Sequence, residues 1–439
     1  VRILCVDFGS TFTKAVLVDA ESGALLATAS HPTTIGTDLM EALDAIRATV
    51  GPVDEVRACS SAGGGLRIAV VGNEELVTSE AGRRVAMSSG GLVVHVASGE
   101  VDVNEMLTAR PDIILLVGGT DGGNTKVLRT NANLLAQARI ALPIAVAGNV
   151  ELRDEIAALF EAASVAYVPA GNVLPEIGVV KPESARAAIR EVFVRHVIGG
   201  KELSRRDEFA AIVRGATPDL VLRGVEVLAS AGSGDVAVVD VGGATTDVHS
   251  VLAVDPEASE LSREVVATLP VSRTVEGDLG LRWNAAGIVA AGQREGLLDD
   301  PMDAAVKQRT DDPAFVATTG EDLAIDELLA KTAITVALRR HAGRSQVVTT
   351  PAGRVVERTG KDLRGLAVLV GSGGLLRHGG ADLAERVLEG ALADETGGGW
   401  LLPETPRRTV DKHYVLAAAG LLADDYPDAA RALVRANLL

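Results

Sequence analysis

Two stretches of this chain pair an acid with a glycine turn. "LCVDFGSTFTK" (4–14) and "AVVDVGGATTD" (237–247) each run apolar, then Val-Asp, one apolar residue, Gly, small residues and Thr. Val6, Asp7, Gly9 and Thr13 match Val239, Asp240, Gly242 and Thr246. A strand that ends in Asp and turns tightly through Gly sets a carboxylate beside exposed backbone N–H groups. Those groups form a concave anion site, and glycine lets the backbone come close to a phosphate. The carboxylate can hold Mg2+, as a rule through water, because Mg2+ gives up its hydration reluctantly. One Asp-x-Gly is also an ordinary hairpin turn. Two facing copies would grip both sides of a polyphosphate with Mg2+ between the carboxylates, and the pair points to nucleotide binding.

A second pattern follows each hairpin in the same order: "LLVGG" (115–119) after the first and "VLVGSGG" (368–374) after the second. Two motifs repeated in order suggest two halves of one duplicated fold. Gly371, Ser372, Gly373 and Gly374 then either pack a strand against a helix or touch the adenosine of the nucleotide. Lys14 serves as a phosphate counter-charge or points outward from its strand end. Asp247 reaches a metal or caps the turn, and His249, beside an apolar run, packs against the sheet.

The elements that must position these residues alternate between strand and helix. Ile3–Val6 and Ala15–Asp19 are strand-like, and Leu39, Leu43 and Ile46 give 37–50 a helical face. "EVRACSS" (55–61) leads into Gly63–Gly65. "DIILLVGG" (112–119) and "PIAVAGN" (143–149) are short apolar runs ending in glycine, which suits buried parallel strands. An amphipathic helix over 184–198 closes the first half, and the polar, glycine-punctuated stretch 198–209 marks a boundary. Residues 299–320, rich in Asp, Thr and Pro, predict an exposed connection. The reading is an α/β chain with mainly parallel sheets and two domains, 1–205 with the first hairpin and 206–439 with the second hairpin and the Gly371–Gly374 turn.

The bulk numbers agree with a globular two-domain protein: 439 residues, 47% hydrophobic, 23% charged and only 3% aromatic. A formal charge of −17 disfavours nucleic acid and anionic lipid. Cys5 and Cys59 form no CxxC pair, and the seven histidines form no metal-ligand cluster, which argues against zinc or iron–sulfur sites. Apolar runs are too short to span a bilayer and no secretory pattern opens the chain, so a cytoplasmic protein away from membranes is expected.

These residues resemble the actin-like ATPase superfamily, whose phosphate 1, phosphate 2 and adenosine motifs are similar to Asp7–Lys14, Asp240–Asp247 and Gly371–Gly374. The resemblance implies a duplicated, ribonuclease H-like fold with two domains around a nucleotide cleft. It implies ATP or ADP with Mg2+ as cofactors, and Asp7 and Asp240 organising the metal and the attacking water. Ser10, Thr11, Thr13, Lys14, Gly242, Gly243, Thr245 and Thr246 would meet the phosphates. "CSSAGGGLRIAVVG", "LLVGGTDGGN", "VVDVGGATTDVHSV" and "RTVEGDLG" extend the likeness to the glutamate-mutase-associated MutL family, also called GlmL, over nearly the whole chain. That likeness implies a slow ATPase acting as a reactivating chaperone for an adenosylcobalamin-dependent mutase, and it leaves a homo-oligomer open. Superfamily members carry a further acid near the first domain's last helix that can position water. Glu183 resembles it, with Glu176 as its rival and a solvated helix-start Glu as the plain reading of either. Glu276 and Asp278 sit where related ATPases place a glycine-rich acidic loop near the nucleotide. A small-molecule kinase and a nucleotide-dependent scaffold are the alternatives on the same framework.

Overall fold

The computed structural model describes residues 1–62, 65–198, 203–253, 269–350, 353–392 and 398–439. Gly63 and Gly64 of the glycine run, and 199–202 of the boundary stretch, lie outside the described residues. The chain divides into two compact units. Unit 1 is Val1–Val227 with Val265–Leu269 and Tyr414–Leu433, and unit 2 is Leu228–Glu264 with Pro270–His413 and Val434–Leu439.

Unit 1 opens with β1 (Arg2–Phe8), β2 (Phe12–Asp19), β3 (Leu25–Pro32) and β4 (Glu55–Ser60). The chain then leaves this sheet for β5 (Leu66–Gly72), β6 (Gly91–Ser98), β7 (Ile113–Leu116), β8 (Ile144–Val146) and β9 (Tyr167–Pro169), and returns in β10 (Val213–Ala216). The first sheet has the order β10-β4-β1-β2-β3. β1, β2 and β3 are antiparallel neighbours, while β4 runs parallel to both β1 and β10. Unit 2 holds β11 (Val236–Val241), β12 (Thr246–Val251), β13 (Val271–Glu276), the separate two-stranded hairpin β14 (Arg344–Thr350) and β15 (Gly353–Thr359), then β16 (Val368–Ser372) and β17 (Arg407–Val410). Its main sheet runs β13-β12-β11-β16-β17. The three strands β11 to β13 are antiparallel neighbours, and β16 is parallel to β11 and β17. Order and direction match unit 1 strand for strand. This is the duplication expected from the repeated hairpin, in the ribonuclease H-like form that the resemblance implied.

The second half of the expected repeat is corrected by this topology. The counterpart of β16 is β4, so "CSSAGGG" rather than "LLVGG" corresponds to "VGSGG". The run 112–119 instead forms β7 of a third sheet, β6-β5-β7-β8-β9, in which every pair is parallel. β7 is central in it and buried along its length. Ile113 and Leu115 face the core that continues to β1 and the helix Leu39–Val50, while Ile114 and Leu116 face a second core with Leu128, Leu135, Ile156 and Phe160. A strand buried on both faces reads as an unbroken apolar run in any parallel sheet, and that shared signature made β7 look like β16.

The connection expected over 299–320 is exposed along most of its length, but it carries a helix of its own. Asp303–Asp311 is a helix, and the Arg309 side chain is fully buried against Asp326 of the long helix Gly320–His341.

Candidate functional site

Each repeated hairpin is held from outside by a different segment, and both are held the same way. In the first, β1 ends just after Asp7 and the chain turns through Gly9 to Thr11. A Cβ on Gly9 would lie 2.6 Å from the Phe12 carbonyl oxygen, so the turn closes only with glycine. Thr33 fastens it: its N–H donates to Thr11 O at 2.9 Å and its hydroxyl to Gly9 O at 2.8 Å. With those carbonyls engaged on one side, the amides of Ser10 and Thr11 have no acceptor among the described residues, and both residues are exposed. Thr13 is fully buried, with its hydroxyl 3.2 Å from that of Thr33.

The second hairpin turns through Gly242 to Thr245, and the segment 279–284 pins its carbonyls. Leu281 N–H donates to Gly242 O at 3.0 Å, Arg282 and Trp283 N–H to Gly243 O at 2.9 and 3.0 Å, and Asn284 Nδ2 to Ala244 O at 2.7 Å. Thr246 is fully buried and its hydroxyl donates to Leu279 O at 2.6 Å. Gly243 and Ala244 are exposed, and their amides have no acceptor among the described residues. Turns whose carbonyls are engaged on one side and whose N–H groups face solvent are anion-binding nests. Thr33 and Asn284 carried no sequence signal of their own, because their role is set by contact across the fold, whereas Leu279 and Gly280 close the "RTVEGDLG" motif. The glycine and acid of "VEGDLG" were the nearest hint.

Asp7 is 8% exposed. Its Oδ1 accepts from the Thr217 hydroxyl at 2.5 Å, with the Cys59 thiol 3.7 Å away, while Oδ2 accepts no hydrogen bond among the described residues. Burial pushes the Asp7 carboxyl above its ordinary range, opposed by the Lys14 charge and by the hydrogen bonds from Thr217 and Cys59. Lys14 stands directly across the β1–β2 ladder from Asp7. Its ammonium lies 3.7 Å from the centroid of the Tyr414 ring and hydrogen-bonds the phenol oxygen. Neither Thr217 nor Tyr414 was legible as a partner, since they lie far along the chain.

Asp240 is half-buried at the end of β11, in register with Asp247 on one side and Ser372 on the other. Asp247 is occupied by protein donors: Arg273 Nη2 and Nε reach Oδ1 at 2.6 and 3.0 Å, and the Thr245 hydroxyl reaches Oδ2 at 3.0 Å. These contacts tie the base of the hairpin to β13. His249 is buried against the sheet as expected, and burial lowers its pKa to about 3.

The Gly371–Gly374 turn is explained in part by packing. A Cβ on Gly371 would press on Leu376 and Leu388, and one on Gly373 would lie 2.2 Å from Val241 O, whereas Gly374 is open. Glu276 and Asp278 share Arg340, whose Nη1 lies 2.7 and 2.6 Å from them. Glu183 and Glu176 are exposed beyond the third sheet. Cys5 and Cys59 are both buried as free thiols, and burial pushes Cys5 up to about 12. Among the described residues there is no cluster of three or more His, Cys, Asp or Glu fit for a metal, and no helix is long and apolar enough to cross a membrane.

The chain matches the family model described as MutL protein over residues 3–438. It is 36% identical to "Protein MutL" of Clostridium tetanomorphum over 458 aligned positions, covering 99% of both chains. Among solved structures it is similar to the activator of the 2-hydroxyisocaproyl-CoA dehydratase from Clostridium difficile with bound ADPNP (10% identity, 98% of this chain and 96% of that one, TM-score 0.33). It is also similar to a putative N-acetylmannosamine kinase from Listeria monocytogenes (10% identity, all of both chains, TM-score 0.30).

Proposed function

Because this chain belongs to the MutL protein family, we propose that it is a nucleotide-dependent reactivating chaperone for an adenosylcobalamin-dependent mutase such as glutamate mutase. The observation that carries the nucleotide reading is the matched pair of carbonyl-pinned hairpins, each with outward amides beside a strand-end aspartate. Ser10, Thr11, Gly243 and the Ala244 amide meet phosphate oxygens of ATP or ADP, with Gly9, Gly242 and Thr245 shaping the turns. Thr13 and Thr246 hold the hairpins from behind. Ser372 and Gly374 are the members of the later glycine turn left to contact adenosine, with Gly371 and Gly373 closing the packing beneath them.

The residues fit Mg2+. A desolvated carboxylate such as Asp7, with one oxygen oriented by Thr217 and the other without a donor among the described residues, gains most from a cation. Asp7 and Asp240 are each the metal-ligand candidate of their own hairpin, and a metal bound there would neutralise phosphate charge. Lys14, across the ladder from Asp7, adds a second positive charge on that side. Loss of the γ-phosphate changes what the exposed amides and Lys14 can bind, and a state change of that kind is what a partner enzyme can read. Hydrolysis serves as a slow reset, and each tenfold difference in affinity between states is worth about 1.4 kcal/mol of bias.

Phosphate release from Mg-ATP, measured alone and with an inactivated cobalamin mutase plus fresh adenosylcobalamin, tests the reading. Asp7→Ala and Asp240→Ala are expected to abolish turnover with little change in folding, and mutase recovery should need ATP and fail with Asp240→Ala. Unchanged turnover in both variants would refute the two-hairpin site. Turnover without recovery of any mutase would refute the chaperone role and favour a kinase.

A further inference from the structure

Asp7 is tied to a helix that the hairpin motif does not include. The helix Thr217–Leu228 begins where β10 ends, and its first residue donates to Asp7 Oδ1 rather than to its own backbone. The start of that helix is held firmly. Asp219, 2% exposed, accepts from Arg190 Nε at 2.6 Å and Nη2 at 3.2 Å, with Arg186 Nη2 at 3.8 Å. Arg186 in turn reaches Glu226, two turns further on, at 2.8 Å. A Cβ on Gly90 would sit 2.6 Å from Asp219 N, so the backbone of another segment abuts the same turn. One turn of helix is thus fixed by ion pairs to a buried carboxylate and by close backbone contact, and Thr217 bonds Asp7 from it.

We propose that Thr217 is the positioning residue of the metal-binding carboxylate, holding Oδ1 so that Oδ2 of Asp7 is presented to the cation of the Mg-nucleotide. The proposal rests on the reading of Asp7 as a metal carboxylate. A ligand group works as a preorganised donor only when its other oxygen is oriented by a rigid partner. Thr217 supplies that partner from a helix start fixed by its own contacts with Arg190, Arg186 and Gly90. The helix N-terminus beside the carboxylate favours its negative charge as well. Cys59 is a weak donor at 3.7 Å and cannot replace the hydroxyl.

The test is the Mg2+ concentration needed for half-maximal binding of a fluorescent ADP analogue to the full chain, with metal-free binding measured beside it. Thr217→Val removes the hydroxyl and keeps the branched shape. Thr217→Ala removes it without adding bulk, and Thr217→Ser retains it. The Val and Ala variants are expected to need about tenfold more Mg2+ or beyond, the scale of a lost hydrogen bond to a charged group. Their metal-free binding should be unchanged, and Thr217→Ser should stay close to the parent. A purely structural role would lower the melting temperature without moving the Mg2+ requirement. If Asp7→Ala leaves the Mg2+ requirement intact, the site reading itself fails. If Asp7→Ala abolishes it while Thr217→Ala and Thr217→Ser behave alike, only the role of Thr217 is overturned.

Discussion

Gly280 and Gly277 stand three residues apart on the segment that braces the second hairpin, and they predict opposite outcomes for one substitution. A Cβ on Gly280 would lie 2.4 Å from both the carbonyl carbon and oxygen of Ala244, whereas one on Gly277 meets nothing within 4 Å. Ordinary contact begins near 3.4 Å, so Gly280→Ala forces the bracing segment and the hairpin apart by about 1 Å. Neither side yields cheaply. The atoms struck are backbone, and four hydrogen bonds from Leu281, Arg282, Trp283 and Asn284 stitch the two segments together. Overpacking of this kind costs about 1–3 kcal/mol, a fall of about 4–8 °C in melting temperature at the middle of that range for a unit of this size. The same shift turns the Gly243 and Ala244 amides away from their common focus, so affinity for a fluorescent nucleotide analogue should fall as well. Gly277→Ala removes backbone freedom from the unfolded chain without strain, and it should be neutral or stabilise by up to about 1 kcal/mol. Thermal unfolding and nucleotide titration of the two variants side by side decide the matter. A Gly280→Ala protein that melts and binds like Gly277→Ala would refute the bracing argument.

Three further outcomes follow from the same geometry. Asp326, 1% exposed, is the counter-charge of the fully buried Arg309 at 2.6 Å and of Arg282 at 2.8 Å. Asp326→Asn should therefore cost about 3–5 kcal/mol in urea unfolding of unit 2, and a loss below 1 kcal/mol would show the guanidinium finding water. His249 is buried neutral with its pKa lowered to about 3 from 6.5, and His341 is lowered by burial too. The unfolded chain binds these protons first, so stability is full above pH 6.5 and falls from there toward pH 3. His249 alone accounts for about 2 kcal/mol at pH 5, and His249→Leu should flatten that slope in pH-dependent unfolding. Asn284→Ala deletes hydrogen bonds of 2.7 and 2.8 Å to Ala244 O and Gly277 O. It should weaken binding of the fluorescent nucleotide analogue severalfold with a loss of stability near 1 kcal/mol, and unchanged affinity would mean that the Leu281–Trp283 backbone bonds suffice.

The hairpins and the architecture they belong to were legible because each rests on local rules. Val-Asp-x-Gly after an apolar run specifies strand, acid and tight turn within a few residues, and finding it twice pointed to a duplicated sheet. The pairing of β11 with β12 and of β1 with β2 followed directly from turn length. The third sheet was harder. β7 and β16 are both short, buried and followed by glycine, and nothing in the residues themselves says which sheet a parallel strand will join.

What the sequence determined by itself was the local pattern: Asp7 and Asp240 at strand ends, and glycines where a side chain would close the turn. Tertiary structure alone decided what surrounds them. Thr33 and the 279–284 segment engage the hairpin carbonyls, Thr217 orients Asp7, Tyr414 receives Lys14, and Arg273 takes up Asp247. These partners are separated from the motifs by some twenty to four hundred residues. Periodicity and turn chemistry describe neighbours along the chain, while hydrogen bonds between distant segments exist only after burial has brought their elements together and stripped them of water.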